Sequence, residues 1–251
     1  MSWLDELFFP RRCPVCRDIV SPWGEMICDT CRKNFHLVAD KGCLKCGRLL
    51  LNEEKEYCED CMRMKRCIVR SLTGYDYRQE WVHKMIFHVK YHNERQLLDY
   101  PCSEAAHEYR DTIMRWQCDC LIPIPLHPSR QKKRGFNQAE EIARRIGEDW
   151  SLPIDTKVLI RVKKTRPQKD LDSATRQKNL EDAFIADKKR AQAYKRVILV
   201  DDIYTTGSTM ESCAKALLAA GVQQVYGFAL SSGRDEASWL QFTQLLIPKW
   251  R

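Results

Sequence analysis

Residues 197–210 read VILVDDIYTTGSTM. The unbroken apolar run Val197–Val200 has the composition of a strand buried on both faces, the kind found at the centre of a parallel sheet. Two adjacent carboxylates, Asp201 and Asp202, follow at its carboxyl end. Thr205, Thr206, Gly207, Ser208 and Thr209 then turn into a helical pattern that runs from Ser208 to Ala220 and stops at Gly221. A glycine among small hydroxyl residues leaves backbone N–H groups available, and the helix that follows offers its positive end, so the stretch is an anion site. An Asp pair repels phosphate, but it suits sugar hydroxyls or a magnesium ion bridging to them. A helix cap needs a single hydroxyl residue, which leaves the two acids and the other hydroxyls around Gly207 unaccounted for.

The flanking sequence alternates short apolar runs with helical patterns. Leu121–Ile124, Val158–Val162 and Val225–Leu230 read as further strands, and Asn137–Ile146 reads as a helix. Such alternation predicts an α/β fold: a parallel sheet with helices on both faces and ligands at the carboxyl ends of the strands. Residues 79–98 place Trp81, Val82, Met85, Ile86 and Val89 on one helical face, with Lys90 and Tyr91 just after the stripe. His88 and His92 are four apart, but no third ligand accompanies them, and they read as solvated side chains.

Two stretches concentrate charge. Residues 122–138 (IPIPLHPSRQKKRGFNQ) put Arg130, Lys132, Lys133 and Arg134 on one loop beside a helix entrance, where Asn137 or Gln138 is placed to cap and Phe136 to pack. Clustered cations at that position suit a polyanion, and a solvated basic turn would use the same residue types. Residues 161–184 (RVKKTRPQKDLDSATRQKNLEDAF) hold seven basic residues between Arg161 and Lys178 against Asp170 and Asp172, with little apolar periodicity. They read as a long exposed loop, and such loops inside compact domains are commonly functional. The same basic strip could track a single-stranded DNA backbone, although its shortage of aromatics leaves base stacking to another part of the chain.

The 251 residues allow one mid-sized unit and a small one, and the net charge of +8 points to anionic partners. No apolar run approaches the length of a membrane span, which argues against membrane insertion. The opening MSWLDELFFPRRCPVC lacks a basic n-region and a cleavage site, so a reducing, cytoplasmic compartment is expected. There are 13 cysteines. Eight form four CxxC pairs, Cys13/Cys16, Cys28/Cys31, Cys43/Cys46 and Cys58/Cys61, each beginning 15 residues after the last. Two residues between thiolates let one tight turn aim both at one ion, and two such turns complete a tetrahedral site. Soft donors suit zinc first and an iron–sulfur cluster second. So small a segment has little apolar core, so the metal is expected to be structural. The pairs alternate between CPVC or CLKCG and CDTC or CEDC, which suggests two sequential sites, while the even spacing also permits interleaved ones. Cys67, Cys102, Cys118, Cys120 and Cys213 lack this spacing and read as small buried hydrophobes.

The 197–210 run closely resembles the phosphoribosyl pyrophosphate signature of type I phosphoribosyltransferases. Residues 122–138, residues 161–184 and the cysteine head resemble one branch of that group, the ComF family of competence-associated proteins, in the family's order and over nearly the whole chain. The resemblance implies a double zinc-ribbon-like unit at 1–66 and a phosphoribosyltransferase-like unit at 67–251. It implies that phosphoribosyl pyrophosphate is bound with magnesium, with Asp201 and Asp202 on the ribose and Thr205–Thr209 on the 5′-phosphate. It gives residues 122–138 the part of the pyrophosphate loop and residues 161–184 that of a flexible loop over the site, with Arg166, Gln168, Arg176 and Asn179 carried over as binding positions. Pyrophosphate would then be displaced from C1 of the ribose by a nitrogen nucleophile, and no residue pattern specifies the acceptor. The family also implies a role in DNA uptake, which keeps two other readings open. One is a single-stranded DNA-binding or sensor module without turnover, and the other is a scaffold that recruits a competence helicase or translocase.

Overall fold

The computed structural model describes residues 12–233 apart from 17, 22, 23, 51, 53 and 163–182. In chain order the elements begin with two short helices in the cysteine head, α1 (Asp29–Arg32) and α2 (Glu59–Arg63). Then come β1 (Ser71–Asp76), α3 (Glu80–His92), α4 (Asp99–Trp116), β2 (Cys120–Pro123), α5 (Pro128–Arg134) and α6 (Gln138–Trp150). The remainder is β3 (Leu159–Arg161), β4 (Phe184–Ala186), α7 (Lys188–Ala191), β5 (Arg196–Tyr204), α8 (Ser208–Ala219) and β6 (Gln224–Ser232).

The main sheet has the order β1-β6-β5-β2 and every pairing is parallel. β5 lies inside it, and Val197, Ile198, Leu199 and Val200 are all 0% exposed. Successive side chains leave opposite faces of a strand, so the run divides between two cores. Ile198 and Val200 join Ile142, Ile146, Trp150 and Phe228 beneath α3, α4 and α6. Val197 and Leu199 join Met210, Cys213 and Leu217 of α8 on the other face. Helices therefore cover both faces, as the alternating pattern predicts.

Three expectations change here, and two elements have no counterpart in the sequence reading. Val158–Val162 does not enter the parallel sheet, because β3 pairs antiparallel with β4 in a separate two-stranded sheet. The helix expected over 79–98 ends at His92, where Asn93 adopts φ 58°, a common stop for a helix. α4 and β1 carry no strong apolar signal in the sequence. α4 buries small or irregular residues (Pro101, Cys102, Ala105, Ala106), and β1 buries Ser71, Thr73 and Asp76 along with its apolar residues. Cys67 is half-buried rather than buried, whereas Cys102, Cys118, Cys120 and Cys213 lie in the core as expected.

The head packs on the edge of the sheet. Ser71 N–H donates to Lys45 O (2.8 Å) and Val38 N–H donates to Gly74 O (2.8 Å), so edge groups of β1 are used rather than exposed. Gly47 is pressed against the strand with φ +75°, and a Cβ there would stand 2.6 Å from Thr73 N. Cys13, Cys31 and Phe35 enter one core, and Cys43, Cys46 and Ile68 enter the other. No helix among the described residues is long and apolar enough to cross a membrane.

Trp150 joins α6 to α4. It is 1% exposed, donates from Nε1 to Ala106 O (2.9 Å) and stands edge-on to Phe228 at 5.2 Å. Trp150→Ala is expected to cost about 3–5 kcal/mol in urea unfolding, from the cavity and the lost hydrogen bond to Ala106 O.

Candidate functional site

The cysteines settle into two clusters, Cys13/Cys16/Cys28/Cys31 and Cys43/Cys46/Cys58/Cys61, with the sulfurs of each within 4.8 Å of one another. The sequential pairing is the one observed and the interleaved one is not. The two kinds of CxxC pair also acquire a reason. Cys28 and Cys58 are the N-caps of α1 and α2, and the acids Asp29, Glu59 and Asp60 occupy the first turns of those helices, where negative charge is favourable. Four thiolates about 2.3 Å from a zinc ion stand about 3.8 Å apart. Cys16 and Cys28 are separated by 3.5 Å, and Cys46 and Cys58 by 3.7 Å. Both sets fit zinc in number, donor and spacing, and each would hold a structural ion. At the second, Arg48 donates to Cys58 Sγ (3.3 Å) and pairs with Asp60, which offsets the thiolate charge.

The second site lies at the carboxyl ends of the main sheet. β5 runs on past Val200 to Tyr204, so both acids belong to the strand itself. Asp202 N–H donates to Asp201 Oδ1 (2.9 Å), and Ser231 Oγ on β6 donates to Asp202 O (3.0 Å). Lys90 of α3 places Nζ 2.6 Å from Asp202 Oδ2. Burial, reinforced by the Asp202 charge, pushes Asp201 from the ordinary 3.8 up to about 8. The pair is thus held as one carboxylate paired with a lysine and one carboxyl that keeps its proton near neutrality.

Beyond Tyr204 the chain turns through Thr205 and Thr206 to Gly207, the N-cap of α8, at φ 77°. A side chain at Gly207 would collide, since an added Cβ would lie 2.2 Å from Tyr204 Oη and 2.7 Å from Arg66 Nη1. Thr206 Oγ1 and Ser208 Oγ are hydrogen-bonded at 2.8 Å, which closes the turn. Glu211 in the first turn of α8 would oppose an anion, but its Oε1 is turned aside to accept from Cys67 N–H (2.7 Å).

The cations at 130–134 stand on a short helix rather than the expected loop. α5 follows β2, the strand beside β5, and Ile124 N–H bonds to Val200 O (2.9 Å). Arg130, Lys132, Lys133 and Arg134 therefore leave the sheet one strand away from Asp201, and none of them is buried. Arg134 bonds to Gln138 Oε1 (2.9 Å) and lies over the Tyr91 ring. Asn137 caps α6 through Oδ1, and Phe136 is buried, as their places in the sequence suggest. Arg166, Gln168, Arg176 and Asn179 lie outside the described residues. The stretch that contains them leaves and rejoins the described chain at one place, where Val162 N–H donates to Ala183 O (2.9 Å).

Lys90 and Arg66 reach the acids and the turn without any sequence motif, and Arg161 is marked in the sequence only as the first residue of the basic stretch. Lys90 is hidden at the flank of an amphipathic stripe. Arg66 donates from Nη2 to Thr206 O (2.9 Å) from between the head and the sheet. Arg161 is 8% exposed at the end of β3 and stacks on Phe184. Its pKa is lowered by burial and by Arg130, against the opposing pull of Asp201. His88 pairs with Glu94 rather than forming part of a metal cluster.

Two outcomes follow from this geometry. The purified chain is expected to carry two zinc ions by elemental analysis, and one in Cys46→Ser. A carboxyl whose folded pKa is raised holds an extra proton in the folded state, so its contribution to stability is lost as pH rises through that pKa. Asp201→Asn removes this loss, so its advantage over the parent in urea unfolding should be near zero at pH 4. It should widen steadily as pH rises from 4 to 8, by up to about 5 kcal/mol for the shift of Asp201 to about 8.

A double zinc ribbon domain model matches residues 4–62, and a phosphoribosyl transferase domain model matches residues 102–236, more than half of the chain. Competence protein F of Haemophilus influenzae is 29% identical over 228 residues, covering 88% of this chain and 98% of that protein. The DNA utilization protein YhgH of Shigella flexneri is 28% identical over 230 residues, covering 89% and 98%. Competence protein ComFC of Bacillus subtilis is 26% identical over 206 residues, covering 78% and 80%. With a parallel sheet ending in an acid pair and a glycine-hinged helix, and two four-cysteine clusters on its edge, the chain belongs to the phosphoribosyl transferase domain family, in its ComF-like branch with an N-terminal double zinc ribbon.

Proposed function

We propose that the protein binds phosphoribosyl pyrophosphate with magnesium at Asp201–Thr209 and that this site serves DNA uptake in the cytoplasm. One observation carries the reading. An acid pair at the end of the central strand runs into a helix start at Gly207, one strand away from four cations, none of them buried. Asp201 and Asp202 hold the ribose hydroxyls, directly or through magnesium, and Thr205–Thr209 with the start of α8 hold the 5′-phosphate. Arg130, Lys132, Lys133 and Arg134 neutralise pyrophosphate, and Arg166, Gln168, Arg176 and Asn179 are further binding positions for the same ligand. In turnover the C1–O bond to pyrophosphate breaks, and pyrophosphate leaves with the electron pair. A nitrogen nucleophile then forms the new bond to C1 and yields its proton to solvent. The acids stabilise the oxocarbenium-like transition state. In this reading residues 1–66 are the zinc unit and 67–251 the transferase unit.

A second reading has support from a different observation. α3 carries an exposed aromatic group beside Lys90: Phe87 and Tyr91 are 43% and 64% exposed with ring centroids 4.9 Å apart, and Arg134 lies over Tyr91. Aromatics beside cations suit stacked bases of single-stranded DNA, and the relatives' names concern competence and DNA utilization. In that case the sugar-phosphate site acts as a sensor, or the zinc head docks a helicase or translocase.

Calorimetric titration with phosphoribosyl pyrophosphate and magnesium, followed by pyrophosphate release against a panel of bases and short single strands, tests the first reading. Binding that weakens at least about tenfold in Asp202→Asn supports it. No binding at millimolar ligand overturns it. Strand binding retained in Asp202→Asn and falling steeply with salt favours the second reading.

A further inference from the structure

We propose that the second four-cysteine centre is a working part of the sugar-phosphate site, joined to it through Arg66 as a positioning residue, while the first centre is not. The proposal rests on the sugar-phosphate reading only for the ligand. The joint itself is geometric.

Arg66 follows the last ligand of the second centre by five residues and lies against the turn at Gly207. Its guanidinium lies between the second centre and the turn, near enough for the charges of Cys61 and Cys46 to act on it. It donates from Nη2 to the carbonyl of Thr206 at 2.9 Å, with Nη1 over Gly207. The next residue repeats the link, as Cys67 N–H bonds to Glu211 Oε1 (2.7 Å) in the first turn of α8. Cys43 and Cys46 share a core cluster with Tyr204 and Met210, which bracket the turn. The first centre has no such reach among the described residues. Cys13 and Cys31 pack in the opposite core, with Phe35 and Tyr75.

Charge explains why an arginine stands here. Four thiolates around zinc leave two net negative charges, and Arg48 and Arg66 bring cations to the sulfurs of the second centre. A planar fork can donate to a carbonyl while its delocalised charge faces the sulfurs, which a lysine ammonium on a flexible stem does poorly. The Thr206 carbonyl and the Gly207 N–H belong to one trans peptide and point in opposite directions. Holding the carbonyl against Arg66 therefore turns the Gly207 N–H to the far side of the loop, where an anion can receive it. Zinc fixes Cys61, five residues of chain and the charge of the sulfurs keep Arg66 beside that centre, and Arg66 sets the turn.

The test is Arg66→Gln in the full chain, with Arg32→Gln beside the first centre as control. Zinc content is measured, with hydrogen exchange of the peptide spanning 204–211 and titration with phosphoribosyl pyrophosphate and magnesium. Arg66→Gln is expected to keep two zinc ions and its global unfolding midpoint. Loop amides should exchange at least about tenfold faster and ligand bind at least about tenfold more weakly, the loss of one charged hydrogen bond. Arg32→Gln should change neither. Unchanged loop exchange in Arg66→Gln overturns the proposal. Faster loop exchange with no ligand binding even by the parent chain upholds the joint and overturns the sugar-phosphate reading instead. Should Arg66→Gln fail to fold, graded chelation of the parent chain gives the second readout. Exchange in 204–211 must rise as the second ion leaves, and exchange that stays constant overturns the proposal.

Discussion

Burial of β5 between β2 and β6 is the constraint on which the rest of the molecule depends. Its four apolar residues are divided between two cores, so the register of β5 fixes α3, α4 and α6 on one face and α8 on the other. The same register decides where the strand stops being apolar. Asp201 and Asp202 come next, still in the ladder, with Asp201 beside Ala229 of β6. A slip of one residue would send Asp201 to the face now taken by Asp202 and place an apolar side chain against Lys90. The hydrophobic core thus positions the carboxylates, and no separate device is needed to hold them at the end of the sheet.

The core of this arrangement was legible in the sequence because it is local. Val197–Thr209 carries strand, acids, turn and helix start in one continuous run, and the four CxxC pairs carry their own spacing. What stayed hidden depends on contacts between distant parts of the chain. β1 is buried although Ser71, Thr73 and Asp76 are polar, because the head covers it. Thr73 Oγ1 donates to Gly47 O (2.5 Å) and Asp76 is bonded to Arg78. α4 buries alanines and a cysteine, which give too faint a stripe to mark a helix. Val158–Val162 has the composition of a core strand, yet it pairs with Phe184–Ala186, a partner that no periodicity could reveal. Lys90 and Arg66 were equally invisible as site residues, since each reaches the loop from another element.

The metal clusters also do more than stabilise a small appendage. A head of this size buries little apolar surface of its own, and zinc compensates by fixing each pair of knuckles. Once fixed, the knuckles present backbone groups and glycine surfaces that complete the edge of β1. The two centres are unequal in this respect. The first supports the core beneath α4 through Phe35, which stands edge-on to Tyr75 and Tyr100. The second faces the side on which β5 turns into α8. A repeat in sequence has become two sites with different neighbours.

Electrostatics gives the acid pair its form. Two carboxylates on adjacent residues cannot both remain charged in a half-buried site without compensation. The molecule compensates them differently. Asp202 takes the Lys90 ammonium, and Asp201 keeps its proton through burial and the neighbouring charge. Both arrangements are provisional in chemical terms. A divalent cation carrying a sugar diphosphate would supply the charge that Lys90 now provides and favour the ionised form of Asp201. It would displace a proton and an ion pair together. The lysine so released would lie beside Tyr91 and Arg134, adding a cation to the side from which pyrophosphate would depart. In the proposed complex the resting ion pair would be an exchangeable counter-ion: magnesium would take the place of Lys90 at the acids, while the anionic phosphates would meet the cations around them.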